Sequence, residues 1–519
     1  MPSPALPVMS TRTRRHSFAC GIMLLGLMAL TLGSLLPLDP QGPFDARDFT
    51  SVPGMHLEQS LLGTLIEPFA APFQIVAGAP DFRLAGLSCL IWFIGGAAVW
   101  RLVSDLRRRR PRSRRTLFVR STIAGLAVGI VMALWIGATV MIRLPRWRLV
   151  VDDPNALVAD LHSHTYGSHD GLVSGPQNLA WHAAAGYNVV AVTEHGYPAG
   201  GFATERYAQR AAGSLPAVIP GQELGFLYGR EFLPMVVLGL RADYRESPNE
   251  GAASPAEFMA YIHEPQRGAA IALGFMLEPE QAGVLADAGI DGFEIANYGH
   301  PNIPLAVRNA MLEMARKHGV ALVASSDWHG CGGTARTWTV IHTAVAVAAL
   351  SPQQKSDLVV RKLRERGSRD IIPVVAGYLG PPSRMRAIFS PFAETYRYAT
   401  ELTLAQVLAW WVWSAIMLGL AHGLARIGLP AWRVFRALLL VALGASLLWS
   451  GLALVAVTPD GLLASGFPRH IGIYALLLGT PSLLAGCWLG RAAWRQRTRP
   501  EPAANGGYQI SRCSRKTRC

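Results

Sequence analysis

Apolar residues follow two different patterns along the chain. Six long apolar stretches flank a central region in which short runs rich in Val and Ile alternate with polar, helix-like segments. Each long stretch has about the 20 residues that a helix needs to cross a bilayer. They lie at 18–38, 84–103, 121–142, 403–424, 436–456 and 471–490. The pattern therefore predicts three transmembrane helices on each side of a large polar region.

The short apolar runs of the central region have the length and composition of buried strands. Helical patterns at 176–185, 255–266 and 304–318 fall between them. The predicted strands are 157–161, 189–193, 217–220, 235–240, 269–273, 292–296 and 321–325. Repeated strand–helix units favour an α/β sheet or barrel, in which functional residues lie at the carboxyl ends of the strands.

These patterns divide the chain into five predicted regions. Two membrane regions enclose a barrel domain, and a connecting segment and a basic tail complete the chain. The boundaries are 1–142 for the first membrane region, 143–350 for the barrel, 351–402 for the connection, 403–490 for the second membrane region and 491–519 for the tail. The composition of the tail is typical of disorder.

The formal net charge of +14 is concentrated beside the apolar stretches. The basic segments are 12–15, 107–115, 426–436 and 491–499. Because short basic loops stay in the cytoplasm, this arrangement predicts that 143–402 lies on the periplasmic side of a bacterial-type inner membrane. The seven arginines in 107–115 are interpreted as a topology anchor on anionic lipids, and not as a nucleic-acid site. The apolar stretch at 61–80 contains Glu67, Pro68 and Pro72 and is interpreted as interfacial or re-entrant.

Histidines and carboxylates follow several of the predicted strands. Two histidines two positions apart on an extended chain face the same side, and the same holds for an Asp-x-His pair. The candidate residues are His162, His164, Asp170, His195, Glu223, Glu294, Asp327 and His329. Mixed imidazole and carboxylate ligands suit Zn²⁺, Mn²⁺ or Fe, and such ions activate water and polarise phosphoryl or carbonyl oxygens. The sequence therefore predicts a metal-dependent hydrolytic site.

At these residues the sequence resembles the PHP (polymerase and histidinol phosphatase) family over about 153–345. The matching motifs are Asp160-Leu-His-Ser-His-Thr, Ser168-His-Asp-Gly, Val192-Thr-Glu-His, Pro220-Gly-Gln-Glu, Gly292-Phe-Glu and Ser326-Asp-Trp-His. The resemblance implies a distorted seven-stranded, TIM-like β/α barrel. It also implies hydrolysis of a phosphate ester by a metal-bound hydroxide, with up to three metal ions.

The resemblance further implies two groups of metal ligands, and hence two divalent ions. Asp327, His329 and Glu223 also form the expected catalytic set. His162, His164, Glu223 and Asp327 would hold one ion, and Asp170, His195 and His329 the other.

The sequence departs from the family pattern in ways that put the third metal site in question. His169 is an inserted residue that we expect to be exposed, and Glu194 replaces the usual Asp. Two family histidines are absent, one after Glu223 and one at the end of the fifth strand. His300 could replace one of them in space, or it could belong to an ordinary loop turn.

The leading hypothesis is a membrane-anchored, metal-dependent phosphoesterase. Its partners would be membrane lipids and a phosphorylated small-molecule or lipid-linked substrate, and not nucleic acid. Arg230, Arg308 and Arg336 are candidate phosphate contacts, because guanidinium matches phosphate geometry. A catalytically impaired ectodomain that binds or senses a phosphorylated ligand is the alternative. A transporter is disfavoured, since paired charges inside the spans are missing.

Overall fold

The computed structural model of the protein describes most of the chain. The described residues are 11–35, 42–77, 82–107, 113–211, 215–228, 230–241, 254–264, 268–301, 303–333, 335–365, 367, 369–377, 384–456 and 466–497. The arginines of 108–112 and the tail from 498 onward, which carried sequence predictions, lie outside these residues.

Helices and strands are numbered in chain order. The helices are α1 Thr11–Leu35, α2 Leu61–Ala77, α3 Phe82–Arg107, α4 Arg114–Val140, α5 Gly175–Ala184, α6 Ala199–Arg210, α7 Pro255–Ile262, α8 Pro279–Ala288, α9 Leu305–His318, α10 Pro352–Arg364, α11 Arg384–Ile388, α12 Ser390–Thr400, α13 Leu404–Arg426, α14 Ala431–Val455 and α15 Phe467–Arg497. The strands are β1 Phe44–Asp45, β2 Met55–Glu58, β3 Arg148–Val151, β4 Ala156–Asp160, β5 Val189–His195, β6 Ala217–Tyr228, β7 Glu231–Leu238, β8 Ala269–Leu273, β9 Gly292–Asn297, β10 Ala321–Ser325, β11 Thr337–His342 and β12 Ile371–Val375.

One curled sheet of ten strands forms the centre of the α/β domain. Its strand order is β1-β12-β11-β4-β5-β6-β7-β8-β9-β10, and β2 and β3 form a separate ribbon. β4, β5 and β6 are parallel, as are β8, β9 and β10, whereas β7 and β11 run antiparallel to their neighbours. β4, β5, β6, β9 and β10 therefore all finish at the same end of the sheet, which we call the site end.

Two threonines hold the β10 edge of the curled sheet against the interior strand β11. The Thr337 hydroxyl donates to the carbonyl of Ser325 at 2.7 Å, and the Thr339 hydroxyl donates to that of Ala324 at 2.8 Å. These side-chain bonds join β11 to β10, which are not neighbours in the hydrogen-bonded ladder. The sheet thus curls into a half-barrel in which the β10 edge closes against β11.

The alternation of side chains along β4 shows why these residues form an interior strand. Leu157 and Ala159 pack into one buried cluster, and Ala156 and Val158 pack into another on the opposite face. A strand covered on both faces has no solvated side, so its sequence is continuously apolar. The period of two then places Asp160 and His162 on the same face as Val158.

The seven predicted strands are present as β4 to β10, but the expected seven-stranded barrel is not. Three further strands enlarge the sheet: β1 from 1–142, β11 from within the predicted domain and β12 from 351–402. β1 has only two residues, and β12 contains Pro373, so neither carries a clear strand signal. The segment 351–402 is therefore more than a connection, because α10 and β12 also pack into the domain core.

Within the described part of the chain, five helices are long and apolar enough to cross a membrane, which indicates a membrane protein. They are Leu84–Arg107, Arg114–Ala138, Leu404–Arg426, Arg433–Val455 and Phe467–Arg495. The first of the six predicted spans coincides with α1, whose described apolar part, Met23–Leu35, is shorter than a span requires. The predicted interfacial or re-entrant stretch is α2, where the indoles of Trp135 and Trp413 donate to carbonyls of Phe69 and Leu65.

A buried carboxylate joins the half-barrel to the helices around it. Glu401, just before α13, accepts bonds from Arg146 at 2.8 Å, from Arg336 at 2.8 and 3.2 Å, and from Arg397 at 2.6 Å. Burial opposes ionisation, but these guanidinium groups hold the pKa of Glu401 well below its usual range. Arg146 also lies 3.6 Å from Glu67 of α2. The network therefore connects β11, α2, α12 and the residues that follow α4.

Replacing Glu401 with Gln should destabilise the protein strongly. Removing the charge leaves three guanidinium groups buried without their shared partner, and breaking a buried ion pair costs about 3–5 kcal/mol. The expected result is a lower midpoint of thermal unfolding for the detergent-solubilised variant.

Glu365→Gln is the matched control, because Glu365 pairs with Lys362 at 3.0 Å on the surface. Exposed pairs contribute about 0–1 kcal/mol. Equal unfolding midpoints for the two variants would contradict a stabilising role for the Glu401 network.

Candidate metal centre

The predicted site residues converge at the site end of the half-barrel. His162 and His164 follow β4, His195 ends β5, Glu223 lies in β6, and Asp327 follows β10. Parallel strands finish at a common edge, so residues far apart in the sequence meet there. All seven predicted ligands lie in this cluster. Among the described residues, however, the groups at its mouth that could hold one ion are His164, His195 and His329, or His169, Asp170 and His195, and not the predicted trio of Asp170, His195 and His329.

The first predicted ligand group is compact and almost completely buried. Nε2 of His162 lies 3.0 Å from Glu223 Oε2 and 3.3 Å from Asp327 Oδ1. Nε2 of His164 lies 3.3 and 3.2 Å from the same two oxygens. One ligand atom from each of these four residues fits within 4.8 Å of the others, so the group could hold one ion.

Hydrogen bonds on the outer side of three histidine rings leave the inner nitrogen of each ring facing the other candidate ligands. Nδ1 of His162 lies 3.1 Å from Glu294, and Nδ1 of His164 lies 2.9 Å from the Ser168 hydroxyl. Nδ1 of His329 lies 2.9 Å from the carbonyl of Asp327. A ring that donates through Nδ1 keeps the Nε2 lone pair for a metal, as second-shell partners commonly arrange.

The second predicted ligand group lies beside the first and is more open. Asp170 lies 3.2 Å from Nε2 of His329 and 3.6 Å from Nε2 of His195. The His164 ring stacks on the rings of both His329 and His195, with centroid separations of 4.1 Å and 4.6 Å. The side chains of Asp170, His195 and His329 are 34%, 26% and 23% exposed, so this group faces the opening of the site.

His169 is exposed as expected, yet it belongs to the edge of the cluster. Its ring centroid lies 4.7 Å from that of His195, and Nε2 lies 3.9 Å from Asp170. His169, Asp170 and His195 together could hold an ion. The inserted residue therefore adds an imidazole at the mouth of the site, which the sequence interpretation did not foresee.

A carboxylate below the ligands holds two of the loops together. Asp160 accepts a hydrogen bond from the Ser326 amide at 2.9 Å and lies 2.8 Å from Nε2 of His182. The Asp327 amide donates to the His162 carbonyl at 2.8 Å. The positioning roles of Asp160 and His182 were missed, because His182 is an ordinary helical residue in the sequence and only the fold brings it here.

Glu194 supports the loop that carries Asp170. It points away from the ligands and accepts bonds from the Thr165 amide and hydroxyl and from the Ser168 hydroxyl, the last at 2.6 Å. Gly171 completes the loop, since a Cβ there would collide with the Thr165 carbonyl. The replacement of the usual Asp by Glu194 therefore affects support of the loop and leaves the ligand set intact.

Backbone strain also marks the Asp327 position. Asp327 has a φ of +50°, in the left-handed region that residues with a side chain rarely adopt. Such strain costs of order 1 kcal/mol and persists where the surrounding structure over-determines it. Gly299 makes room for the Asp327 side chain, because a Cβ at Gly299 would lie 2.9 Å from Asp327 Oδ2.

The charges within the cluster shift several pKa values strongly. Burial opposes ionisation of Glu223 and Asp327, but the neighbouring imidazoles, His162 first, hold the pKa of both well below their usual range. Burial would lower the pKa of His329, yet Asp327 and Asp170 outweigh it and raise the pKa to about 9. Burial raises the pKa of Glu294 to about 7. Glu223 and Asp327 are thus kept ionised by neighbouring positive charge, which a divalent cation also supplies.

Three buried polar atoms at the centre of the cluster make no hydrogen bond, which is more typical of a metal site than of a closed hydrogen-bond network. His164 Nε2, Asp327 Oδ1 and Asp170 Oδ1 are buried and make no hydrogen bond, and they instead face charged groups, with His164 Nε2 3.2 Å from Asp327 Oδ1 and Asp170 Oδ1 3.6 Å from His195 Nε2. A buried polar atom without a partner is costly, and such exceptions point to an ion or a functional role. The mixed nitrogen and oxygen donor set therefore fits a divalent cation.

The arginines considered as phosphate contacts lie elsewhere. Arg336 is buried and bound to Glu401. Arg308 donates to the carbonyl of Arg47 at 3.0 Å and lies over the Phe49 ring. Arg230 is exposed in the turn between β6 and β7. The prediction of a phosphate contact is wrong for Arg336, because its guanidinium group is bound to Glu401.

An aromatic ring lies where the missing histidine of the fifth predicted strand was expected. Phe275 directly follows β8, and its ring stacks on His300 with centroids 4.1 Å apart and an interplanar angle of 4°. Nε2 of His300 lies 3.7 Å from Asp327 Oδ2. His300 is thus at the edge of the cluster, although it belongs to none of the groups that could hold an ion in the described residues.

Comparison with known proteins gives weak likenesses. No family model and no curated protein match the sequence. A proposed metal-dependent phosphoesterase from Bifidobacterium adolescentis aligns at 16% identity over 34% of this chain and 88% of its own, with a TM-score of 0.25. An amidohydrolase from Chromobacterium violaceum with bound sulfate and no metal aligns at 17% identity over 33% and 87%, with a TM-score of 0.25. PsfC from Pseudomonas syringae aligns at 16% identity over 48% and 100%, with a TM-score of 0.30. Scores this low carry no argument about the chemistry of this chain.

Replacing Glu294 with Gln should weaken metal binding without emptying the first ligand group. The substituted amide could still accept a bond from His162, but it would lack the charge that makes the ring a stronger donor to the ion. Loss of such an outer partner typically lowers metal affinity about 10–100-fold. Competition with a chelating dye would measure the change.

Glu278→Gln serves as the control for this variant, because Glu278 is the exposed N-cap residue of α8 and lies outside the cluster. An unchanged affinity in Glu294→Gln would show that the His162–Glu294 contact does not prepare the ring for a metal.

Proposed function

We propose that this protein is a membrane-anchored, metal-dependent phosphoesterase of the PHP type. The observation that carries the proposal is the convergence of the buried ligand atoms of His162, His164, Glu223 and Asp327 within 4.8 Å of one another. The order of motifs along the chain supports the family assignment. The alternative, an ectodomain that only binds a phosphorylated ligand, lacks a specific structural observation in its favour.

The four buried residues would hold one divalent ion, and Asp170, His195 and His329 would hold a second. Ions of this kind, whether Zn²⁺, Mn²⁺ or Fe, lower the pKa of bound water and polarise a phosphoryl oxygen. Asp327 lies between both groups, since its Oδ1 is 3.3 Å from His162 and 3.5 Å from Nδ1 of His329. It would therefore orient the two ligand sets relative to each other.

The residues at the mouth of the site would act on the substrate itself. His195 and His329 are partly exposed beside Asp170, so they can reach a phosphate ester that enters from solvent. Because both imidazoles would hold the second ion, neither would have a proton to give, and their role would be to present that ion to the phosphoryl oxygen. The buried residues behind them exclude bulk water from the reacting phosphorus.

Metal analysis and hydrolysis assays on the full-length, detergent-solubilised protein test the proposal. The expected result is two equivalents of a divalent metal and turnover of p-nitrophenyl phosphate or bis(p-nitrophenyl) phosphate. His164→Ala should lose metal and lower turnover by more than about 100-fold, since it removes a ligand outright.

His318→Ala is the matched control, because His318 ends α9 at the opposite end of the half-barrel. It should retain both metal and turnover. Bound metal without turnover on either ester class would favour the binding-module alternative, and the absence of metal would refute the proposed centre.

We also propose that the half-barrel lies on the periplasmic side of a bacterial-type inner membrane. The basic segments at 107–115 and 426–436 support this orientation through the positive-inside rule. In intact spheroplasts, a membrane-impermeant thiol reagent should modify a cysteine introduced at exposed Tyr207 of α6 but not one at Arg426. Modification at Arg426 and protection at Tyr207 would reverse the proposed topology.

A further inference from the structure

The chain segments that lead into the membrane helices attach to the half-barrel at its site end. Arg143, which follows α4, donates to the carbonyls of Gly330 at 3.1 Å and Leu172 at 2.7 Å. Leu172 in turn donates to the carbonyl of His329 at 2.8 Å. The loops that carry Asp170 and His329 are thus tied directly to the exit of a membrane-capable helix.

Other attachments lie at the same end. β11 runs antiparallel to β4, so its first residues, next to Arg336, lie at the site end, where Arg336 binds Glu401 just before α13. β12 also finishes there and is followed by the short helices α11 and α12. α11 reaches α3, because the Ser88 hydroxyl donates to the Ile388 carbonyl at 2.7 Å. The mouth of the site therefore faces the layer from which the membrane helices emerge.

A hairpin extends from the half-barrel in the same direction. His195, the last residue of β5, pairs with Glu223, but β6 continues for five more residues to Tyr228. At about 3.3 Å per residue the hairpin projects roughly 16 Å beyond the ligand Glu223. β7 returns from Glu231, so the tip is a tight turn that contains Arg230.

The hairpin tip exposes apolar side chains beside one basic and one acidic residue, Arg230 and Glu231. Leu227 is 63% exposed and Phe232 is 45% exposed, and Tyr228 beside them is also exposed. Met276 and Leu305, two further exposed apolar residues, also lie at the site end, after β8 and at the start of α9. Apolar residues exposed in one region mark an interaction surface, and the charged pair Arg230 and Glu231 beside them suits the polar headgroup layer of a bilayer.

We infer that the site takes its substrate from the membrane itself, as the phosphorylated headgroup of a lipid, and that the β6–β7 hairpin tip contacts the bilayer beside it. The inference rests on the proposed phosphoesterase function. The two lines of support are independent, since one comes from where the membrane helices attach and the other from the apolar tip. The occupant of the apolar tip is lipid because membrane-capable helices leave the domain at the same end.

Full-length protein in phosphatidylcholine nanodiscs tests the inference with matched substrates. Phosphatidic acid and phosphatidylglycerol are the lipid monoester and diester, and p-nitrophenyl phosphate and bis(p-nitrophenyl) phosphate are their soluble counterparts. The double variant Leu227→Ser/Phe232→Ser should lower lipid hydrolysis at least about 10-fold. Moving one such apolar side chain from water into the bilayer favours the membrane-bound tip by about that factor in the equilibrium constant. Hydrolysis of the soluble esters should stay unchanged.

Tyr207→Ser is the matched control for the hairpin variant, because Tyr207 is exposed near the end of α6 away from the site end. Turnover of soluble esters without turnover of either lipid would overturn the inference and leave the proposed phosphoesterase standing. Equal lipid turnover in the hairpin variant would overturn the role of the tip. Absence of turnover on all substrates would instead refute the proposed function and the substrate assignment with it.

A measurement of depth tests the tip independently of activity. A fluorophore on Leu227→Cys, in a background without other cysteines, should be quenched by spin-labelled lipids in the nanodisc. The same label on Tyr207→Cys should not be quenched. Equal, weak quenching at both positions would show that the hairpin does not reach the bilayer.

Discussion

The buried charge of Glu401 is the constraint on which the arrangement of this protein depends. Its carboxylate binds three guanidinium groups from separate parts of the chain, those of Arg146, Arg336 and Arg397. Charges buried this deeply are tolerated only when they are fully paired, so these segments must meet in one geometry. That geometry fixes the half-barrel on the helices next to it and sets which end of the sheet faces them.

The orientation of the candidate metal centre relative to the membrane-capable helices follows from this attachment. The residues that follow α4 hold the carbonyls of Gly330 and Leu172, whose loops carry His329 and Asp170. The domain also takes β1 and β2 from the region before α3, so it is interwoven with the membrane part and not appended to it. A fragment cut at 143 and 402 would lose β1, a strand of the sheet, and the Glu67 partner of Arg146.

The candidate centre combines a geometry suited to metal ligands with a local departure from the family pattern. Each ring of His162, His164 and His329 is oriented by an acceptor on its outer side, as expected for metal ligands. On the β8 side, however, Phe275 and His300 stack against each other where a strand-end histidine was expected. The residues predicted as ligands therefore lie close together. The surroundings of Glu223, however, lack the additional histidines that the sequence resemblance implied.

The sequence by itself determined the local features: which segments are apolar enough to cross a membrane, the seven central strands, and the histidines and carboxylates at their ends. These follow from periodicity and spacing, which act between neighbours along the chain. Only the tertiary structure decided that Arg336 serves Glu401 and not a phosphate, that His182 supports Asp160, and that β1, β11 and β12 enlarge the sheet. Such pairings join residues far apart in sequence, and their energy depends on burial and on the partner's position. Neither quantity is written in the local pattern.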